Sequence, residues 1–296
     1  METPLDGHRS PRPARGFTLI EIVVVLFILG VAIAMAVALT NALTASQRLS
    51  TTTARLQTVD AAIVQYVMQQ KRLPCPADGT LASTDANAGI ENPANRTALA
   101  GCTTNQAGGV VPWRTLGLSE QDATDGWNHR LTYRIQPTLA ADNALDMSWC
   151  DPAGSGGLGA GNSCNSACTA ATITANCTPP STYLNGKGLE VHNVANTIVV
   201  MSPTANPPTG AAYVVVSAGS TGGGAYLSSG QLSVSTTTDG TQEQKNYASA
   251  AYVAGSYYVD DSISDSAGTT HFDDIVSRPA LLTVINKAGL GPRSHS

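Results

Sequence analysis

The chain has 296 residues, with 16 basic and 21 acidic side chains and a net charge of −5. Charged residues are 12 % of it, about half the usual globular share of roughly 25 %, and Ser, Thr, Ala, Gly and Asn are abundant instead. A net acidic chain without a block of Lys or Arg gives no reason to expect nucleic acid as a partner, since phosphate binding needs clustered cations. Hydrophobic residues at 42 % exclude global disorder.

Residues 1–16 (METPLDGHRSPRPARG) hold three Pro and three Arg and show no periodicity. They read as an unstructured leader, and Arg9, Arg12 and Arg15 favour its retention on the inner side of a membrane. No charged side chain lies between Glu21 and Arg48, and Ile22–Leu39 is an unbroken apolar run of 18 residues. As a helix the run is about 27 Å long, close to the hydrocarbon thickness of a bilayer. A cleaved secretory signal, with small residues near Ala42–Ala45, or a plain signal anchor would account for the run. Neither accounts for Glu21, because a carboxylate at the mouth of an apolar helix costs about 1–3 kcal/mol unless it is paired or near the headgroups.

The stretch Arg15-Gly16-Phe17-Thr18-Leu19-Ile20-Glu21 resembles the processing site of type IV prepilins and pseudopilins. In that family a membrane peptidase cuts after the Gly and N-methylates the new first residue. The resemblance implies that Gly16 ends the leader, that Phe17 becomes the N-terminus, and that Glu21 meets the amine of a neighbouring subunit during assembly. The physics agrees with this. Glu21 lies four residues beyond Phe17 and so shares a helix face with the new amine, and its charge opposes the positive end of the helix dipole. Ala38 stands where the family often has Pro, which leaves Gly30 as the intrinsic weak point of the helix.

Beyond Thr44 the composition turns polar, but Leu49, Leu56, Val59, Ile63, Tyr66 and Val67 keep a helical stripe. Gln47, Arg48, Arg55, Gln57, Asp60 and Gln65 fall mostly elsewhere, and Thr51–Thr53 is a weak helix-forming stretch. Lys71 and Arg72 suit a helix C-terminus, and Pro74 and Pro76 stop it. The spacing therefore predicts one helix over 17–73, with its membrane segment at about 17–40 and its later stripe docked on a head.

Residues 77–110 read as loop, followed by Val110-Val111-Pro112-Trp113-Arg114-Thr115-Leu116-Gly117-Leu118, the turn Asp125-Gly126-Trp127-Asn128 and a strand at Leu131–Ile135. This order resembles pseudopilin-like heads, and the aromatics read as packing residues. Further strands are expected at Thr197–Met201, Ala211–Ser217 and Gln231–Ser235. Their poor alternation points to burial on both faces. Residues 277–289 read as a closing helix with Ser277 as N-cap, Pro279 in the first turn and Gly289 as the stop.

Six cysteines on the outward side of a membrane segment read as disulfides, with 15 possible pairings. Proximity favours Cys75–Cys102, with Cys150, Cys164, Cys168 and Cys177 pairing among themselves. A metal site from Cys164, Cys168, Cys177 and His192 is the competing reading, and an oxidising compartment disfavours it. Gly154-Ser155-Gly156-Gly157-Leu158-Gly159 matches a dinucleotide-fold pattern, but no strand precedes it and no helix follows. His129, His192 and His271 are scattered, and no catalytic motif accompanies them.

Ser217–Tyr226, Gln242–Asn246 and His271–Val276 resemble the end of pseudopilin-like heads, where the corresponding loop of some major pseudopilins holds calcium. The resemblance makes Asp273 and Asp274 the candidate ligands, helped by Glu243 or Asp265. The competing reading is that both Asp side chains hydrogen-bond a turn.

The expected fold is α+β and pilin-like: a long N-terminal helix packed on an antiparallel β-sheet head. The expected divisions are a leader at 1–16, the long helix at 17–73, and a disulfide-containing periplasmic head at 74–296 with a loop-rich insertion at 137–180. The resemblance implies a structural subunit of a type IV pilus or type II secretion pseudopilus (a minor pilin or pseudopilin), without turnover chemistry. Its partners would be prepilin peptidase, other pilin or pseudopilin subunits and the inner membrane. The alternatives are a permanently anchored periplasmic binding or adhesive protein that never polymerises, and a tethered hydrolase.

Overall fold

The computed structural model describes residues 19–92, 96–102, 106–147, 183–233, 240–250, 252–264 and 271–291. The chain divides into two compact units, Met1–Gln47 and Arg48–Ser296. One helix, α1 (Leu19–Gln70), begins in the first unit and continues into the second.

Within the first unit every described side chain from Leu19 to Gln47 is exposed. The helix is long and apolar enough to cross a membrane. Its Val23–Val25 run is a poor helix former in water. In lipid the same run is held helical, because every backbone N–H and C=O must find its partner inside the segment. The hydroxyls of Thr40 and Thr44 donate back to the carbonyls of Val37 and Thr40, both at 2.9 Å, so neither adds an unsatisfied polar group to the helix.

In the second unit the expected stripe of α1 is the core stripe. Leu56, Val59, Ile63 and Val67 are buried, while Leu49 is exposed and Tyr66 half-buried. They meet a five-stranded antiparallel sheet of order β1 (Ala77–Asp78), β4 (Gly109–Val110), β5 (Thr132–Ile135), β8 (Tyr213–Ser217) and β10 (Ile275–Ser277). A two-stranded sheet pairs β2 (Arg96–Thr97) with β3 (Gly101–Cys102). A three-stranded sheet sets β6 (Glu190–His192) between β7 (Val199–Met201) and β9 (Tyr257–Val259). The β6–β9 pair is parallel, an exception to the antiparallel expectation. A short helix, α2 (Leu281–Lys287), closes the core.

The central strand β8 shows why alternation is weak in the sequence. Tyr213 and Val215 join the core under α1, while Val214 and Val216 join a second core with Val191, Met201 and Tyr258. Both faces are dry, so both must be apolar. In β5, Tyr133 and Ile135 take the helix side and Arg134 takes the other. Arg134 is buried, and its guanidinium donates to the carbonyls of Gly109, Tyr247, Ala248 and Ala250.

Among the described residues, polar contacts at three places fix α1 to the head, and none of them follows a periodicity. At the start of the second unit the turn at Asp125–Asn128 presses on the helix. The Gly126 N–H donates to Thr52 Oγ1 at 2.9 Å, and Arg55 donates to the carbonyls of Thr124 and Asp125. A Cβ on Gly126 would stand 2.5 Å from the Arg48 carbonyl oxygen, so only Gly allows this approach. In the middle, Asp60 accepts from the Tyr213 hydroxyl at 3.0 Å and from the Ser277 hydroxyl at 2.6 Å. At the end, the buried Glu91 accepts both guanidinium arms of Arg72, the Tyr66 hydroxyl and the Cys75 N–H. The helix stops at Gln70, where Lys71 turns left-handed (φ 56°) ahead of Pro74.

Cys75 and Cys102 form a disulfide, Cα–Cα 5.7 Å, which closes the loop after the helix. Cys150, Cys164, Cys168 and Cys177 lie outside the described residues, as do Gly154–Gly159. The first part of the expected insertion is packed: Pro137–Ala140 is a short 3-10 helix, and Leu139, Ala140 and Leu145 belong to the core. The closing helix begins at Leu281 with Ala280 as its N-cap and no side-chain capping bond. Ser277, expected to be the N-cap, instead ends β10 and gives its hydroxyl to Asp60. Gly289 does follow the helix with φ +70°.

Burial raises the Asp60 carboxyl above the usual carboxylate range, and the hydroxyl donors Ser277 and Tyr213 and the Lys287 charge offset this only in part. A raised folded-state pKa favours the protonated form in the fold. The stability this contributes is full below the unfolded pKa of about 4 and is lost as pH rises through the higher folded value. Asp60→Asn keeps both hydrogen-bonding positions and removes the titration. In thermal unfolding from pH 4 to pH 8, the difference between variant and parent should move in the variant's favour, leaving it at least as stable as the parent at pH 7.

Candidate functional site

Two groups of residues carry the functional reading, one in each unit. In the first, Gly16 and Phe17 lie outside the described residues. Glu21 is in the first turn of α1, the acidic residue of that turn, and is exposed. A carboxylate in a first helical turn opposes the positive end of the helix dipole. Ile22 and the apolar run follow it directly.

The second group is the C-terminal end of the head. Asp273 follows Phe272, whose backbone pairs with Ser264, and lies two residues before the start of β10. It enters a tight turn at Ser217–Gly224. Asp273 Oδ2 accepts from the Ser220 hydroxyl and the Thr221 N–H, both at 2.8 Å, and Oδ1 accepts from the Thr221 hydroxyl at 3.0 Å. Gly219 (φ +55°) makes room, since a Cβ there would collide with the Asp273 carbonyl oxygen.

Behind Asp273 stands Glu243, in the 3-10 helix Glu243–Asn246. Glu243 Oε1 accepts the Asp273 N–H at 2.8 Å, Oε2 accepts the Gly240 N–H at 3.0 Å, and His271 Nδ1 lies 3.0 Å from Oε2. Burial pushes the Glu243 carboxyl above its ordinary pKa, against the donors Asp273 N–H, His271 and Gly240 N–H. Asp274 turns the other way and accepts from the Asn246 amide at 2.8 Å, and Asn246 also exchanges two hydrogen bonds with the Val259 backbone.

The structure therefore brings Asp273, Asp274 and Glu243 into one buried region, while Asp265 lies outside the described residues. One ligating atom from each of Glu243, His271 and Asp273 falls within 4.8 Å of the others. Calcium takes six to eight oxygens at about 2.3–2.6 Å. Here both oxygens of Glu243 and of Asp273 already accept from protein N–H and O–H groups, and an imidazole takes part. That arrangement fits a hydrogen-bonded clasp joining three distant segments rather than a calcium shell, and no function is derived through the ion.

A Ser–Asp–His grouping does occur nearby. Asp125, fully buried, accepts from the Ser217 hydroxyl at 2.7 Å, and its other oxygen accepts the N–H groups of Trp127 and His129. The serine meets the carboxylate directly rather than an imidazole, so it lacks the base a nucleophile needs. The grouping rigidifies the turn that presses on α1. His192 stacks on Tyr257, with ring centroids 4.1 Å apart, and Cys164, Cys168 and Cys177 lie outside the described residues.

Residues 11–37 match the prokaryotic N-terminal methylation motif. The stretch covers Gly16, Phe17 and Glu21, and it marks a type IV pilin-like or pseudopilin protein, a class of generally non-enzymatic structural proteins whose precursors are processed by prepilin peptidase. The long helix packed on antiparallel sheets is the α+β architecture of that class. No curated protein and no solved structure matches the chain. Sequence reasoning missed the roles of Thr52, Glu91 and Ser277, because each acts through hydrogen bonds to residues distant in sequence and leaves no local pattern.

Asp273→Ala should strand the donors of Ser220 and Thr221 and destabilise the head by on the order of 3 kcal/mol, read by denaturant unfolding of the detergent-extracted chain. In the same assay, excess calcium or a chelator should leave the midpoint unmoved. A stabilisation by calcium that Asp273→Ala abolishes would contradict the clasp.

Proposed function

We propose that this chain is a structural subunit, a minor pilin or pseudopilin, of a type IV pilus or a type II secretion pseudopilus. It is made as a precursor with leader 1–16 and cut after Gly16. It is held in the inner membrane by the apolar half of α1, with residues 74–296 as a periplasmic head, and is inserted through that helix in a filament of related subunits. The observation that carries this reading is the methylation motif running into a helix whose described apolar side chains from Leu19 to Ala45 are exposed. Such a surface needs lipid before assembly, and the apolar helices of neighbours can replace the lipid afterwards.

Glu21 has a defined part in this reading. Cleavage before Phe17 creates a cation one helical turn away from the Glu21 carboxylate, and the amine of a neighbouring subunit offers the same charge. Either pairing offsets the desolvation of a carboxylate beside hydrocarbon. The contribution is made only on the processed chain, which gives the peptidase control over assembly.

The test is a Glu21→Ala variant expressed with its assembly machinery and fractionated into membrane and sheared filament. The leader should still be removed, while recovery in the filament fraction falls at least about tenfold. Incorporation equal to the parent would overturn the role of Glu21. A parent chain that stays wholly in the membrane fraction would instead identify a permanently anchored protein.

A further inference from the structure

Beside its core stripe, α1 carries a second line of positions in the head. Gln57, Asp60, Ala61 and Val64 are spaced zero, three, four and seven, so they share one helix face. This face forms one wall of a groove of about 430 Å3, opposite Pro279 and Val284. The size is within the range of clefts that take a ligand or a side chain. The short side chain of Ala61, exposed between Gln57 and Val64, leaves the dent.

The chemistry of the groove is lopsided. Ala61, Val64, Pro279 and Val284 are apolar, and Asp60 is the carboxylate among the lining residues. Each Asp60 oxygen accepts one neutral hydroxyl, from Tyr213 and from Ser277. A carboxylate has about four acceptor sites, so the hydroxyls occupy half of its capacity and bring no compensating charge. Lys287 stands at the exposed rim, where solvent screens it. What complements such a groove is a cation on a long apolar stem, which is the build of lysine and arginine.

We propose that the groove receives a lysine or arginine side chain of a second copy of this chain, its cation on Asp60 and its methylenes on the apolar walls. The inference rests on the assembly reading above: copies joined through α1 bring a neighbouring head against this same helix. The chain has exposed cations to offer, among them Arg114 and Lys245 on the head. The pair forms only between copies, so it would add to the grip of the apolar helices and fix the register of the heads.

The experiment places a photo-reactive benzoylphenylalanine at Gln57 of the full-length chain, at the rim of the groove, in cells that assemble it. Irradiation should give a chain–chain adduct whose cross-linked peptide contains an exposed Lys or Arg. Combining the probe with Asp60→Asn should lower the adduct about tenfold at equal abundance and with a thermal midpoint no lower than the parent's. An adduct undiminished by Asp60→Asn, or adducts only with other proteins, would overturn the proposal. Sedimentation of the same samples separates the two levels. A processed chain that assembles yet gives no self-adduct defeats the groove alone, whereas a chain that never assembles defeats the reading beneath it as well.

Discussion

An apolar helical surface without protein cover must be covered by something else. From Leu19 to Gln47 every described side chain of α1 is exposed, and Ile22–Leu39 contains no polar side chain. Water disfavours such a surface by roughly 25 cal/mol for each Å2 of apolar area, so the chain is committed to lipid or to other apolar helices. Glu21 is the one charge placed at the edge of this surface. In the proposed reading, the leader, the membrane anchorage and assembly through the helix serve to cover that surface and to neutralise that carboxylate.

The head meets a different requirement. It has short strands and long loops, and it ties them with buried carboxylates and guanidinium groups. Asp125 organises the turn that presses on the start of the second unit, Asp60 joins α1 to β8 and β10, and Glu91 closes the end of α1 on Arg72 and Cys75. Asp273 and Glu243 join the Ser217–Gly224 turn, the Glu243–Asn246 turn and the segment leading to β10. Each of these groups links segments far apart in sequence. Removing one partner would leave a buried charge or donor unsatisfied, which is why such networks specify one arrangement.

Much of the architecture was legible because it rests on periodicity. The stripe Leu56, Val59, Ile63 and Val67 follows the helical repeat, and burial followed it. The apolar content of Tyr213–Ser217 pointed to a strand covered on both sides, and two cores do flank it. Nearness in sequence pointed to the Cys75–Cys102 bond. The rest depends on pairings that no local rule encodes. Thr52 reads as a weak helix former, yet it is fully buried as the acceptor for Gly126. Ser277 has the look of a helix cap, but the strand pairing of β10 with β8 places it opposite Asp60. Asp273 and Asp274 were placed together by the sequence, while the hydroxyl and amide donors around them became apparent only in the fold.

The central claim is that proteolysis between Gly16 and Phe17 creates the working N-terminus. Mass spectrometry of the chain recovered from membranes of cells that carry the peptidase measures this directly. The account predicts an N-terminal peptide that begins at an N-methylated Phe17. A peptide that runs intact from the leader through Phe17, or one that begins within 42–45, would contradict it.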